Sequence, residues 1–366
     1  MKLYRTSCGD TVYRYEKSIV MYFQGKRKVL STSVFNGGYR EDLQAVFNHD
    51  GTRGAGMSCE MLASTYDEHM KIVARRIGLE PNFVTGMGTA ASMENVSIHT
   101  MSYEDLRVTA LVTGGIEING GRVGDPATHY KPLEKPDKLG TINIMLLLDA
   151  DMPAGTMARA LVTCTEAKTA AIQELMAGSN YSVGLATGSG TDQTIIIANA
   201  ESTLYFEGAG KHAKLGELIG KVVMKAVKEA LNKQSGLNPQ CQHSVLERLK
   251  RFGISSESIW NKYISYEENH VIKPEFLVAL NGLEKEETMV LYTSLYVHLL
   301  DQYVWGLLSG EEIAVGTKRI LLIMAEYYQV GTQSREKINE EIALENFIEP
   351  LEMFIMEAVY KILHLQ

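Results

Sequence analysis

Two patterns of apolar and polar positions run along this chain, and they change over near residue 234. Before that point, residues 11–15, 18–23 and 28–35 mix β-branched and aromatic side chains with polar ones, which predicts three strands. The GKRK between the last two (25–28) predicts a hairpin turn. After the loop NGGYRED, the segment CEMLASTYDEHMKIVARRIGL carries Met61, Leu62, Met70, Val73 and Ile77 near helical spacing, and Gly78 with Pro81 is a normal helix stop. Three glycine-broken apolar segments follow: FVTGMGTAA, LRVTALVTGG and GTINIMLLLDA. The last is apolar enough to be a central strand.

Asp151 and Pro153 then predict the cap and first turn of a helix reaching about Met176. On it Met157, Leu161, Cys164, Lys168, Ala171 and Leu175 alternate steps of four and three, which puts Lys168 in line with the apolar face. Next come ATGSGTD (186–192), the strand-like TIIIANA, and LYFEGAGKH. An amphipathic helix with Leu215, Leu218, Ile219, Val222, Val223, Ala226 and Val227 follows.

QSGLNPQ (234–240) reads as a linker, and beyond it strand-like alternation disappears. Only seven of the 32 glycines lie from residue 234 onward, and breaks near Gly253, Gly282, Gly310 and Gly331 predict a helical bundle. The expected organisation is an α/β or α+β layered N-terminal domain over 1–233, a linker over 234–240 and an acidic all-α domain over 241–366. A chain of 366 residues is long enough for two domains. Charge follows the same division: residues 234–366 hold 19 acidic and 11 basic side chains, which accounts for the whole net charge of −8. No extended basic run exists to displace phosphate counterions, so no nucleic-acid partner is expected.

The four cysteines, Cys8, Cys59, Cys164 and Cys241, are far apart and lack CxxC pairing, which suits a reducing compartment. The first residues lack an uninterrupted apolar core, so no leader peptide is expected, and the expected location is cytoplasmic. The stretch 289–308 is the most membrane-like, but His298, Asp301 and Gln302 near its middle predict a buried soluble helix instead of a membrane span.

ATGSGTD carries the richest candidate chemistry. It lacks the lysine of a phosphate-binding loop, and Gly188 and Gly190 do not continue into a dinucleotide fingerprint. Two readings stay open: a turn in which Asp192 binds the backbone, or main-chain N–H groups that hold an oxyanion. Similar small-residue loops recur at NGG (36–38), TGMGTAA, TGG with Glu117 and Asn119 behind it, and GAGKH, as an enzyme closing around a large ligand requires. Glu166 lies about 200° round the helix from Lys168, so the two do not face one pocket squarely. His212 precedes a helix whose N-terminal dipole favours an anion. Asp125 and His129 flank Pro126 in a polar loop, and no histidine spacing marks a metal site.

In order, VLSTSVFNGG (29–38), FNHD (47–50), VTALVTGG with INGGRVGD (108–125), GTINIMLLL (140–148), TEAKTAAIQEL (165–175), ATGSGTD and GKHAKLGELIG (210–220) resemble the adenosylcobinamide amidohydrolase family of corrinoid salvage. The likeness spans about residues 5–233 and departs at Ser189, where threonine is usual. It implies hydrolysis of the amide joining the corrin propionate to aminopropanol, giving adenosylcobyric acid. The partner implied is a small-molecule corrinoid whose cobalt belongs to the substrate. No cofactor is required by the sequence, and a divalent metal and a homo-oligomer stay open.

Amide hydrolysis needs a nucleophile or activated water, oxyanion donors, and an acid for the leaving amine. With the resemblance, Thr187, Ser189 and Thr191 are candidate nucleophiles or donors, and the N–H groups around Gly188 and Gly190 candidate oxyanion donors. Glu166, Lys168, Asp192 and His212 are candidate acids and bases; Lys168 as base requires a neutral, desolvated amine. Asn36, Gly37, Gly38, His49, Asn119 and Asn143 are expected to contact substrate. The competing reading is a corrinoid-binding protein without hydrolase activity, whose helical domain docks a partner.

Overall fold

The computed structural model describes residues 1–53, 59, 61–127, 140–266, 271–331 and 343–364. The chain forms two compact units, Met1–Asn238 and Pro239–Gln366. In the first, strands β1 (Lys2–Arg5), β2 (Thr11–Tyr15), β3 (Ser18–Tyr22), β4 (Arg27–Ser31), β5 (Gly38–Arg40) and β6 (Ala45–Asp50) precede helix α1 (Tyr66–Arg76). Then come β7 (Val84–Thr89), β8 (Ser97–Tyr103), β9 (Leu106–Gly115), β10 (Gly120–Gly121) and β11 (Thr141–Leu148). Helix α2 (Ala154–Glu174), β12 (Gly188–Ser189), β13 (Gln193–Asn199) and α3 (Lys214–Ser235) complete the unit.

The strands build a five-stranded sheet in the order β1-β2-β3-β6-β7 and a six-stranded sheet in the order β5-β4-β13-β11-β9-β8. Each contains one parallel pair, β6 with β7 and β11 with β13. Parallel neighbours need a crossover, and α1 and α2 supply them. β11 is interior to its sheet, as its unbroken apolar run predicts, and buried on both faces.

Side-chain parity fixes the layers. Ile142, Ile144, Leu146 and Leu148 of β11 face α2 and α3, where Met157, Cys164, Leu215 and Val222 pack on them. Met145 and Leu147 point the other way, with Ile195 and Ile197, onto Ile19, Met21, Val46 and Met87 of the five-stranded sheet. The far face of that sheet offers Val20, Phe47 and Val84 to Met70 and Val73 of α1. The unit is therefore four layers deep: helix, sheet, sheet, helix pair.

Two polar clusters cross the interface between the sheets. At one end the wholly buried Arg27 grips Asp10, with Nε to Oδ2 and Nη2 to Oδ1 both 2.8 Å, and also donates to Asn199 Oδ1 at 3.0 Å. At the other end Asn143 donates to Asn48 Oδ1 (2.8 Å) and to the Gly88 carbonyl (3.0 Å), and Asn48 donates to Thr113 Oγ1 (2.7 Å). Asn143 has the inward parity of Met145 and Leu147, so its side chain enters the interface and must find partners there.

Three local expectations are corrected. GKRK is not a hairpin turn: β3 pairs with β2 and β6 while β4 pairs with β13 and β5, so the chain passes there from one sheet to the other. Asp151 does not cap α2, whose N-cap is Pro153 without a side-chain bond; its carboxylate accepts from Lys28 instead. Gln234 and Ser235 belong to the last turn of α3, which closes at Gly236 with φ 75°, and Gln234 accepts from the Ser92 N–H and Asn95.

The second unit is helical: α4 (Val245–Leu249), α5 (Ser256–Tyr266), α6 (Lys273–Leu283), α7 (Glu287–Val304), α8 (Gly310–Tyr328) and α9 (Glu345–His364). Gly282 lies inside α6, whereas Gly253 (φ 83°) ends a turn and Gly310 opens α8 behind the Ser309 capping box. Asp301 in the membrane-like stretch is buried in α7 and paired with Arg251 at 2.6 Å. Among the described residues no helix is long and apolar enough to cross a membrane.

Arg27→Met leaves the Asp10 carboxylate buried without its partner and is expected to cost about 3–5 kcal/mol. Urea unfolding of the variant checks this; a loss below about 1 kcal/mol would show that the cluster does not hold the sheets.

Candidate active site

The ATGSGTD turn emerges where β13 begins, beside the start of β11 and the end of β9. Its organiser is Asp192. Oδ1 accepts from the Ile142 N–H (2.8 Å) and Ser189 Oγ (2.6 Å), while Oδ2 accepts from the Ser189 N–H (3.1 Å) and from Lys168 Nζ. One carboxylate thus joins the turn, the first residues of β11 and helix α2. Half-filled, such a cluster would leave a partly buried charge unpaired.

Lys168 reaches Asp192 because Gly188 has no side chain. A Cβ there would stand 2.6 Å from Lys168 Nζ and would strike Asp192 Oδ2. The lysine predicted on the apolar face of its helix therefore ends in an ion pair at the turn, with only 12% of its side chain exposed. In this arrangement its amine is a donor to a carboxylate.

The remaining turn residues are tied in as well. Thr187 donates its N–H to the Gly121 carbonyl (2.8 Å), and its Oγ1 accepts from the Val123 N–H (3.0 Å). Thr191 Oγ1 donates to the Gly140 carbonyl at 3.0 Å. The same carbonyl takes Asn119 Nδ2 at 2.5 Å, while the buried Asn119 Oδ1 has no donor among the described residues. β12 pairs with β10, Gly188 opposite Gly121 and Ser189 opposite Gly120. Of the N–H groups around Gly188 and Gly190, those of Ser189 and Thr191 bond to Asp192 and Ser189 Oγ respectively, so the turn consumes these two internally. Gly190 sits at the turn's tip, with open space where a Cβ would stand.

Lys168, Thr187, Gly188, Ser189, Gly190, Thr191, Asp192 and Asn119 thus converge. The other candidates do not join them. Glu166 is exposed on α2 and pairs with Arg159 and Lys211, both at 3.7 Å, on the side away from Lys168, as the 200° offset requires. His212 is exposed in the adjoining turn before α3. Asn36, expected to orient substrate, instead bonds the carbonyls of Pro81 (2.7 Å) and Val84 (2.8 Å), at the opposite end of β7 from Gly88. Gly37 is required there because a Cβ would run into the Ser33 carbonyl, and Gly38 has φ 81°.

His49 and Asn143 likewise bond within the fold. His49 has the parity of Phe47 and so faces the α1 side, where Nδ1 lies 2.8 Å from Ser18 Oγ. Burial, with the nearby His69, pushes its pKa down to about 4, so the ring is neutral near pH 7. Asn143 spends its amide on the inter-sheet cluster, and its Oδ1 accepts from Thr141 at 3.2 Å. Asp125 caps a turn, accepting from the Arg122 N–H and Ser179 Oγ, and His129 lies outside the described residues.

Two neighbours escaped the sequence reading. Tyr66 Oη accepts the Gly88 N–H at 2.8 Å, and burial raises its pKa. Gln193, the first residue of β13, hydrogen-bonds to Tyr66 through its amide and keeps a buried Oε1 with no partner among the described residues. For Gln193, a polar residue at inward parity beside the apolar run of β13 was the available signal. Among the described residues no three His, Cys, Asp or Glu side chains are arranged to hold a metal ion.

The first unit matches the family model described as adenosylcobinamide amidohydrolase over residues 3–239, and the chain belongs to that family. It is 32% identical over 240 residues to an uncharacterised protein of Methanocaldococcus jannaschii, covering 62% of this chain and 89% of that one. An adenosylcobinamide amidohydrolase of Methanosarcina mazei is 26% identical over 223 residues, 59% of this chain and 95% of the relative.

Gly188→Ala should drive Lys168 out of its ion pair and open the turn while leaving the sheets folded. The expected result is a loss of amide-proton protection confined to residues 186–193, read by hydrogen exchange. Unchanged protection there would show that the pair does not organise the turn.

Proposed function

We propose that this protein hydrolyses the amide between the corrin propionate and aminopropanol of adenosylcobinamide, releasing adenosylcobyric acid and 1-aminopropan-2-ol. The observation that carries this reading is the family match along the whole first unit, with the motifs TEAK and ATGSGTD meeting at the Lys168–Asp192 pair.

Of the three hydroxyls in the turn, only that of Ser189 donates to a carboxylate, which makes it the candidate nucleophile. Its oxygen attacks the amide carbon as its proton passes to Asp192, and the carbonyl electron pair moves onto oxygen. Protonation of Asp192 releases the Lys168 ammonium from its counter-charge, so the positive charge is free to stabilise the new oxyanion. Collapse breaks the C–N bond, with the proton returned from Asp192 to the leaving amine. Water then hydrolyses the seryl ester. Threonine, usual at this position in the family, keeps the hydroxyl.

Incubation with adenosylcobinamide, with and without chelator, followed by chromatography for adenosylcobyric acid tests the reaction. Ser189→Ala is expected to lower kcat by at least about a thousandfold, with Ser189→Thr retaining activity and a wild-type acyl-enzyme visible by single-turnover mass spectrometry. Full activity of Ser189→Ala would remove the nucleophile role. Corrinoid binding without product would select a non-catalytic binding protein.

A further inference from the structure

In the second unit α8 packs against α7 and α9 and turns the rest of its surface to solvent. That outward surface is unusually apolar: Leu322, Ile323 and Tyr327 are 43%, 46% and 60% exposed. The short connection from Val304 to Gly310 makes α7 and α8 antiparallel neighbours, and a Cβ on Gly316 of α8 would stand 2.9 Å from Leu299 Cδ1 of α7. Leu295 and Leu291, one and two turns before Leu299, therefore run alongside the second half of α8, and both are exposed. Large apolar side chains gathered on two adjoining helices form the kind of patch that marks a protein–protein contact, unlike single exposed residues.

The charges on this face say what covers it. Residues 234–366 carry the whole net charge of −8, so the unit's surface as a whole repels a second copy of itself. From Ile313 to Ala325, however, the only charged side chains of α8 are Lys318 and Arg319, both exposed, and the next charge is the exposed Glu326. Steps of three, one and three along Arg319, Leu322, Ile323 and Glu326 keep all four on one side of the helix. Arg319 and Glu326 stand about 10 Å apart along the axis, too far to pair with each other. Neither has an ion-pair partner among the described residues.

We infer that this face joins two copies of the chain, α8 lying antiparallel to α8 of the second copy across a two-fold axis between Leu322 and Ile323. Such a contact is self-complementary. Leu322 of each copy meets Ile323 of the other, Arg319 meets Glu326, and Lys318 stands opposite the Tyr327 ring, which favours a cation. The Arg319–Glu326 pair forms twice, once on each side of an apolar centre, while Leu291 and Leu295 flank the seam. The register is specific: a shift of one turn sets Arg319 opposite Leu322 or Val330. A parallel arrangement would oppose arginine to arginine and glutamate to glutamate. The inference is independent of the amidohydrolase reading and gives the acidic helical unit a role in assembly.

Sedimentation equilibrium of the full chain across the micromolar range tests this, with thermal melting to verify that each variant is folded. The wild type is expected to approach twice the 40.6 kDa of one chain. Arg319→Glu and Glu326→Arg each set like charges against each other and are expected to weaken the dimer at least about tenfold. An equimolar mixture of the two variants is expected to restore it, because opposite charges then face each other at both pairs, and the double variant Arg319→Glu/Glu326→Arg is expected to dimerise like the wild type. A wild type that stays monomeric would leave the face to another partner and overturn the proposal. Single variants that dimerise as the wild type does would overturn it as well. Monomeric single variants whose mixture also stays monomeric would overturn the antiparallel pairing of Arg319 with Glu326.

Discussion

The first unit depends on polar side chains that must find one another between two apolar sheets. Arg27 with Asp10 and Asn143 with Asn48 sit at opposite ends of the interface, opposite Asn199 and Gln193 of β13, which lie about 20 Å apart at strand spacing. Between them the contact is apolar except where Thr85 Oγ1 donates to Ser31 Oγ at 3.2 Å, and apolar contacts alone would tolerate sliding. Sliding one sheet across the other would part Asn143 from Asn48 and the Gly88 carbonyl and leave these buried groups unsatisfied. The two clusters thus select a single alignment of the sheets.

That alignment positions the ATGSGTD turn. Asn143 and Ile142 are neighbours on β11: one side chain locks the sheets while the other residue's N–H binds Asp192. The turn that carries Ser189 is therefore referenced to the same strand that fixes the layers. Helix α2 joins through Lys168, and Gly188 permits the approach. The candidate site is thus held by rigid elements although its turn lies on a loop.

Much of this was legible in the sequence, for reasons that differ by element. TINIMLLL announced a central strand because strands covered on both faces need unbroken apolar character, and the helix bearing Lys168 followed from its spacing. Sheet pairing was not legible. β3 and β4 are adjacent, strand-like and joined by a glycine-bearing turn, yet their partners lie far along the chain, and no local signal separates a hairpin from a crossing between sheets. For ATGSGTD, the turn with Asp192 binding the backbone is the geometry found. Asn36 and Asn143 looked like ligands for substrate amides because an asparagine's partners cannot be read from its neighbours; both bond within the fold. The family likeness ordered the motifs, but only the fold separates Glu166 and His212 from the turn that holds Lys168.

The central claim is that corrinoid chemistry occurs at the end of the sandwich set by Asn143 and Asp192. The most direct measurement is a crystal structure of the protein with cobinamide bound to the Ser189→Ala variant. The account predicts the aminopropanol amide within hydrogen-bonding distance of Lys168 and the 188–192 turn. A corrinoid seated instead near Asn36 and Val84, or on the helical unit, would contradict it.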